Sequence, residues 1–352
     1  MNRFSCLIVA LAMSKMLFAD LAPAPGSQPV GPVFDASDVV CSGRVESLRV
    51  IEEKKVESGN GTLLLKRVLA LVYVQDIYKA NESLPSSITV SFDEQVSGVT
   101  HIMPNLEQDE RAILFLRHSE DSSYVFADRF LGVTRFASIP VQEGGSGLTM
   151  LESTLAEIVS ENDREDKIKA MRLLEGMENL QPGTLAQVAS LSASPDPELA
   201  FDALATMIKA GVPGSIETLD HYLQSYQGDG ALLGLINIEG GLNRTRNRKE
   251  LSALESLTSS RFLAIRLGAM EAIRSIGDVS SAPTLIQRLS DSDSTVRYIA
   301  VISLAEILNR QGDYKPSRPE FRERPDFYTN EWQDWWAHEG PGFQKPASSV
   351  AP

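Results

Sequence analysis

Two periods divide the chain. From Asp38 to about Ile139, apolar positions recur at every second residue: Val39, Cys41, Gly43 and Val45 alternate with Val40, Ser42, Arg44 and Glu46, and the run continues to Ile51. Arg67 to Tyr78 is a second long β-rich run, with Val68, Val72, Val74, Ile77 and two tyrosines. Ser87–Phe92, Ala112–Leu116, Tyr124–Ala127 and Gly132–Phe136 supply shorter strands. Successive strand side chains point to opposite faces, so this alternation predicts half-buried β-structure. Polar or turn-forming connectors separate the runs: Ser58-Gly-Asn-Gly61, Lys79-Ala-Asn-Glu-Ser83, Asp93 to Glu110 and His118 to Ser123. Five or six strands in about 100 residues, with no helical pattern between them, predict a small antiparallel barrel or sandwich.

Near Met150 the pattern changes, and between Lys167 and Leu308 it repeats at a spacing of 31 to 35 residues. Each recurrence centres on a small residue flanked by apolar ones. The anchors Ala170, Ala203, Gly234, Ala269 and Ala300 are 33, 31, 35 and 31 apart. A fixed period in this range predicts helical hairpins, each too small to bury its own apolar face, which must therefore stack on one another. The small anchor lets two helix backbones approach closely. Before the last unit's second helix, Asp291-Ser-Asp293 supplies an N-cap that satisfies orphan backbone N–H groups. Arg297 is unfavourably placed for the helix dipole, so it is expected to bond carboxylates such as Asp291 or those of a neighbouring unit. Arg266 holds the same place one unit earlier. Pro182-Gly183, Gly211-Val-Pro213-Gly214, Gly240-Gly241 and Gly277 with Pro283 are expected between units.

These residues resemble HEAT repeats, most closely over Ser260–Leu308, where Pro283, Asp291, Asp293, Val296, Arg297, Ala300 and Leu304 match the family pattern. The units at Ala170 and Gly234 lack the Val-Arg pair and carry Asp166-Lys167 and Gly230-Ala231 instead. The resemblance implies a right-handed α-solenoid of antiparallel helix pairs serving as a protein-binding surface or scaffold; it implies no catalytic residue. In the first third, Asp38-Val-Val-x-x-Gly43-Arg-Val45, then Val-x-Val-x-x-Ile77-Tyr78-Lys79, then Asp109-Glu110-Arg111-Ala-Ile-Leu-Phe115-Leu116 is similar to the bacterial netrin-like, tissue-inhibitor-of-metalloproteinase-like barrels. That resemblance covers residues 36 to 138 and implies an OB-type fold found on exported proteins. In the animal inhibitors an N-terminal, disulfide-tied cysteine blocks the protease metal. Cys41 lies inside the first strand and has no partner, so that chemistry does not carry over.

Composition narrows the function. A net charge of −14 and a pI near 4.9 argue against a nucleic-acid role, which needs a clustered Lys/Arg surface. At the N-terminus, Arg3 followed by the apolar run Cys6–Met13 and then Met16-Leu-Phe-Ala19 reads as an export signal cleaved after Ala19. The alternative is an uncleaved anchor; no other stretch is long and apolar enough to span a bilayer. After cleavage only Cys41 remains, and a lone thiol in a strand-like run is expected to be a buried small hydrophobe.

Chemistry-bearing motifs are scarce. His101, His118, His221 and His338 are isolated from one another; His101 and His118 fall in predicted barrel loops. There is no His-Glu-x-x-His, Cys-x-x-Cys, phosphate loop or Gly-x-Ser-x-Gly elbow, since Leu148 follows Gly144-Gly-Ser-Gly147. Asp291-Ser-Asp293 begins like a calcium loop, but Val296 stands where glycine is required. No catalytic residue, cofactor or metal site is expected. All three tryptophans, Trp332, Trp335 and Trp336, share one face of a short helix that Thr329 is expected to cap and Gly340 to end. They serve either as a lid on the open end of the last repeat or as an aromatic contact for a partner.

The expected organisation is a signal peptide over 1–19, a Pro/Gly-rich linker over 20–35, an OB/netrin-like β-barrel over 36–140 and a linker over 141–150. HEAT-like helical repeats follow over 151–312, a Pro-rich segment with the Trp-rich capping helix over 313–340, and a disordered tail over 341–352. The expected function is that of a secreted or periplasmic, non-catalytic binding or scaffold protein with an unidentified protein partner, its concave helical surface being the favoured contact. The alternatives are proteinase-inhibitor-like binding through the barrel, or an enzyme whose active site is assembled from distant residues.

Overall fold

The computed structural model describes residues 29–340 except 59–60, 96–103, 129, 143, 146, 162, 230–231 and 311–314. The proposed signal, His101 and the tail 341–352 therefore lie outside the described residues. Strand β1 (Val39–Ser58) and strand β2 (Gly61–Ala80) form a long antiparallel hairpin, in register from Val39↔Ala80 to Ser58↔Gly61. Strand β3 (Ser87–Gln95) pairs with β2, and β4 (Arg111–His118) returns to pair with β1 from Val39↔Leu116 to Arg44↔Arg111. The short strands β5 (Tyr124–Phe126) and β6 (Val133–Phe136) both pair with β4.

The pairings run β1-β2-β3-β5-β4 and back to β1. Here the expectation of a wholly antiparallel sheet is corrected: β3 and β5 meet in parallel through one bridge, Val90↔Tyr124. Five strands paired in a ring cannot alternate direction all the way round, so one neighbouring pair must run parallel. Val39, Cys41 and Val45 of β1, Val68, Ala70 and Val72 of β2, Ile88 and Val90 of β3, and Leu114 and Leu116 of β4 share one apolar cluster. At the bulge where Gln75 of β2 is left unpaired between Ser42 and Gly43, a Cβ on Gly43 would stand 2.6 Å from the Tyr73 carbonyl oxygen, so only glycine fits.

Part of the expected linker is helical. Helix α1 (Val30–Ala36) buries Val30 and Phe34, one turn apart on one face, and the Val30 N–H donates to the Gly176 carbonyl. Its C-terminal carbonyls accept from Lys79 Nζ (Phe34, 3.0 Å; Asp35, 2.7 Å) and Arg117 Nε (Ala36, 3.1 Å), cations where the helix dipole favours them. The apolar pair outweighs the spacer-like composition. The second expected linker is likewise shortened, because helix α2 (Leu148–Ser160) begins directly after Gly147, whose φ is 83°.

After the sheet the chain is helical. Helix α3 (Arg164–Glu175) pairs with α2; α4 (Pro182–Ser190), α5 (Pro197–Lys209), α6 (Ser215–Ser225), α7 (Leu232–Arg244), α8 (Leu251–Leu257), α9 (Leu263–Ile276), α10 (Ala282–Arg288) and α11 (Ser294–Ile307) follow, then α12 (Arg318–Glu323) and α13 (Pro325–Glu339). Two compact units divide between Thr184 and Leu185. The α2–α3 hairpin belongs to the first unit because Asp166, buried on α3, accepts from the backbone N–H groups of Ala137 (2.7 Å) and Ser138 (3.2 Å) just beyond β6. In the second unit, α5 packs on α7, α7 on α9, α9 on α11 and α11 on α13. One apolar cluster runs from Phe201 to Trp335.

Four anchors occupy equivalent places. Ala170, Ala203, Ala269 and Ala300 each lie seven residues after the N-cap of their helix (Asp163, Asp196, Phe262 and Asp293), and all four are fully buried. Gly234 instead is the third residue of α7. It still sits at a close approach, since a Cβ there would stand 2.6 Å from Phe201 Cβ. The expectation that Gly240-Gly241 separates two units is overturned: both lie inside α7. Gly241 faces Ile208, 3.1 Å from where its Cβ would be, so one of the two glycines that look like a breaker lets α5 and α7 approach, while Gly240 meets open space.

Candidate protein-contact surface

Most residues singled out by the repeat pattern build the scaffold. Asp293 accepts from the backbone N–H groups of Thr295 (2.7 Å) and Val296 (3.2 Å), and Asp163 and Asp196 cap α3 and α5 similarly. Arg297 does not bond a carboxylate as expected. Its Nη1 donates to the main-chain oxygens of Asp291 (2.8 Å) and Ser292 (3.3 Å), because its position one turn into α11 folds the side chain back over the entering loop. Arg266 does the same thirty-one residues earlier, donating to the Ser260 (2.9 Å) and Arg261 (3.3 Å) carbonyls. Its Nε also lies 3.2 Å from an oxygen of the Asp291 carboxylate, which ties consecutive hairpins together. That carboxylate also accepts from the Asp293 N–H at 2.8 Å.

The aromatic tail is likewise structural. Helix α13 starts at Pro325, not at a Thr329 cap: proline is favoured in the first helical turn, and the Thr329 hydroxyl donates to the Asp326 carbonyl at 3.3 Å. Trp332 is fully buried and Trp335 nearly so, both within the apolar cluster of the helical unit, while Trp336 is partly buried against it. Arg310 lies over the Trp335 ring, 4.6 Å from its centroid.

Among the described residues, no group of three or more His, Cys, Asp or Glu is placed to hold a metal ion. His118 ends β4, where a loop was expected; it lies 3.3 Å from Glu82 and contacts the Tyr124 ring. His221 stands on α6 and His338 near the end of α13. Cys41 is fully buried in β1, and burial pushes its thiol up to about 12. Beside it, Ser42 Oγ donates to Asp76 Oδ2 at 3.2 Å. Burial raises the Asp76 carboxyl above its ordinary value, opposed by that hydroxyl and by the Gln142 backbone N–H. Burial likewise carries the neighbouring Tyr78 phenol up to about 12. Among the described residues, no histidine joins this cluster.

What the sequence reading missed lies on the outside of the sheet. In β2, Val68, Ala70, Val72 and Val74 face the core, while the intervening Leu71, Tyr73 and Ile77 are 38, 47 and 37 % exposed. On β1, Leu48 and Val50 oppose Ala70 and Val68 and so stand on the other, core-side face, 36 and 48 % exposed, with Ile51 at the adjacent bulge 44 % exposed, all beyond the point where β4 ceases to pair. Elsewhere among the described residues, only Val141, Ile236 and Phe327 are large, apolar and exposed. The signal was present: Leu69-Ala-Leu-Val-Tyr-Val74 is apolar at odd and even positions alike, whereas an antiparallel strand with one face in water needs only one apolar set. Charges border this surface, with Arg67 paired to Asp93 (3.0 Å) and Lys66 to Glu53 (3.5 Å).

No family model matches the chain, and no curated protein matches it. Among solved structures the chain is similar to the crystal structure of an engineered protein, with 20 % identity, a TM-score of 0.33, and coverage of 45 % of this chain and 79 % of that one.

Proposed function

We propose that this protein is an exported, non-catalytic binding protein that engages a protein partner through the outer face of the β1–β2 hairpin. The observation that carries the reading is the row of exposed Leu71, Tyr73 and Ile77 on the outward face of β2, three of the nine large apolar side chains that are exposed among the described residues. Apolar side chains gathered in water on one strand face are a mark of interaction sites. The first-expected contact, the surface of the helical hairpins, has Ile236 and Phe327 as its exposed large apolar residues.

The closed order of strand pairings supports an OB-type barrel of the netrin-like kind, a five-stranded Greek-key architecture. Serial packing of α5, α7, α9 and α11, with equivalent Ala203, Ala269 and Ala300, supports a HEAT-type α-solenoid that α13 caps. A proteinase-inhibitor role through Cys41 is disfavoured, because that thiol is buried inside β1 and cannot reach a metal. Export rests on Arg3 and the apolar run that follows.

The test is co-purification from the native envelope with the native chain and with Leu71→Glu/Tyr73→Glu side by side. A partner held by the native chain and lost by the variant is expected. Equal recovery by both contradicts the assignment of the face.

A further inference from the structure

The same hairpin has a free edge. Strand β4 pairs with β1 from Val39 to Arg44, and Val45 then exchanges backbone hydrogen bonds with Asp109 and Glu110, both at 2.9 Å. From Ser47 to Ser58, β1 pairs only with β2 among the described residues. A row of backbone N–H and C=O groups is thereby left open beside exposed Leu48, Val50 and Ile51, the arrangement that accepts an added strand. We propose that this edge binds the same edge of a second copy of the chain, antiparallel, about a two-fold axis; the proposal builds on the reading of the hairpin as a contact surface.

The order of charges selects this occupant. Like charges set directly opposite one another on two strands are destabilising, so an edge of a single sign would repel a copy of itself. Here the edge reads Glu52-Glu53-Lys54-Lys55, with no net charge, and running it backwards sets acid against base. A two-fold axis normal to the sheet keeps each side chain on its own face, so opposed residues differ by an even number. Centring the pair on Glu53 places Glu52 of each copy across from Lys54 of the other and sets Glu53 diagonal to Lys55. Shifting the centre to Lys54 brings Glu53 across from Lys55. Both neighbouring registers therefore oppose unlike charges, and like charges meet only at the central pair. Within one chain Glu52 faces Arg67 and Glu53 faces Lys66, whereas Lys54 and Lys55 face Leu65 and Leu64. The second copy supplies the carboxylates that β2 does not.

Sedimentation of the full chain over a concentration series tests this, using three species. The native chain is expected to show a monomer–dimer equilibrium that weakens with added salt. Glu52→Lys/Glu53→Lys and Lys54→Glu/Lys55→Glu, each with a single-sign edge, are each expected to dimerise about tenfold more weakly or worse. Mixing these two variants is expected to restore a dimer containing one copy of each. Unchanged circular dichroism and melting show that each variant is folded. A native chain that stays monomeric throughout overturns the proposal, as do single-sign variants that dimerise like the native chain or mixtures that fail to pair. Leu71→Glu/Tyr73→Glu alters the face but not the edge, so it is expected to dimerise normally while losing its partner; the two readings therefore fail independently.

Discussion

The sheet and the helical hairpins dispose of their apolar residues in opposite ways. Along α5, every side chain from Leu199 to Ile208 is buried, Asp202 and Thr206 included, whereas β2 buries one face and leaves Leu71, Tyr73 and Ile77 in water on the other. A helical hairpin that depends on its neighbours for a core has little apolar surface left to display. A sheet with its core on one face can carry apolar residues on the other without losing that core. On the function proposed above, the helical hairpins supply stability and the sheet supplies recognition.

The largest expected effect falls on the helical unit. Trp332→Ala removes a fully buried indole from the end of the cluster, and urea denaturation should register a loss of about 3–5 kcal/mol. A loss below 1 kcal/mol would show that α13 is not part of that core. Next, Arg266→Ala strips Asp291 of its cation and two carbonyls of their donor, for an expected cost of about 2–3 kcal/mol by the same measurement. Gly234→Val drives a side chain into Phe201 and should cost about 1–3 kcal/mol. Tyr73→Glu, by contrast, should change stability by no more than about 0.5 kcal/mol, because the ring it replaces is half in water. A large loss there would erase the contrast between the two regions.

A pH titration sharpens the same contrast inside the sheet. Burial raises Asp76 above its unfolded value, so the folded state binds the proton more tightly than the unfolded one. Its contribution is fully present below the ordinary carboxylate range and is lost as pH rises through the raised value. Asp76→Asn, which cannot ionise, should remove that part of the decline. Identical pH profiles for the two proteins would show that the Ser42–Asp76 pair carries no such linkage.

Much of this architecture is legible in the sequence because period reports burial. The strands between Val39 and Phe136 fall on the β-rich runs, and four anchors fall at one helical position. The failures have physical causes. From Glu46 to Lys55 both faces of β1 meet water, so Glu52-Glu53-Lys54-Lys55 shows no alternation and the strand's continuation past Ile51 is invisible. Gly240-Gly241 resembles a turn, but at an interface the absence of a side chain permits close packing. Asp166 departs from the repeat because its carboxylate holds the segment after β6, a contact made across 29 residues of chain. The candidate face was missed because an apolar residue on the outside of a strand looks like one on the inside until the core is located.

Site-specific photo-crosslinking in the native envelope tests the division of labour most directly, with one probe in place of Tyr73 and another in place of Ile236 on α7. Protein adducts are expected from position 73 and none from position 236. Adducts from position 236 with none from 73 would contradict it and return the contact to the helical hairpins.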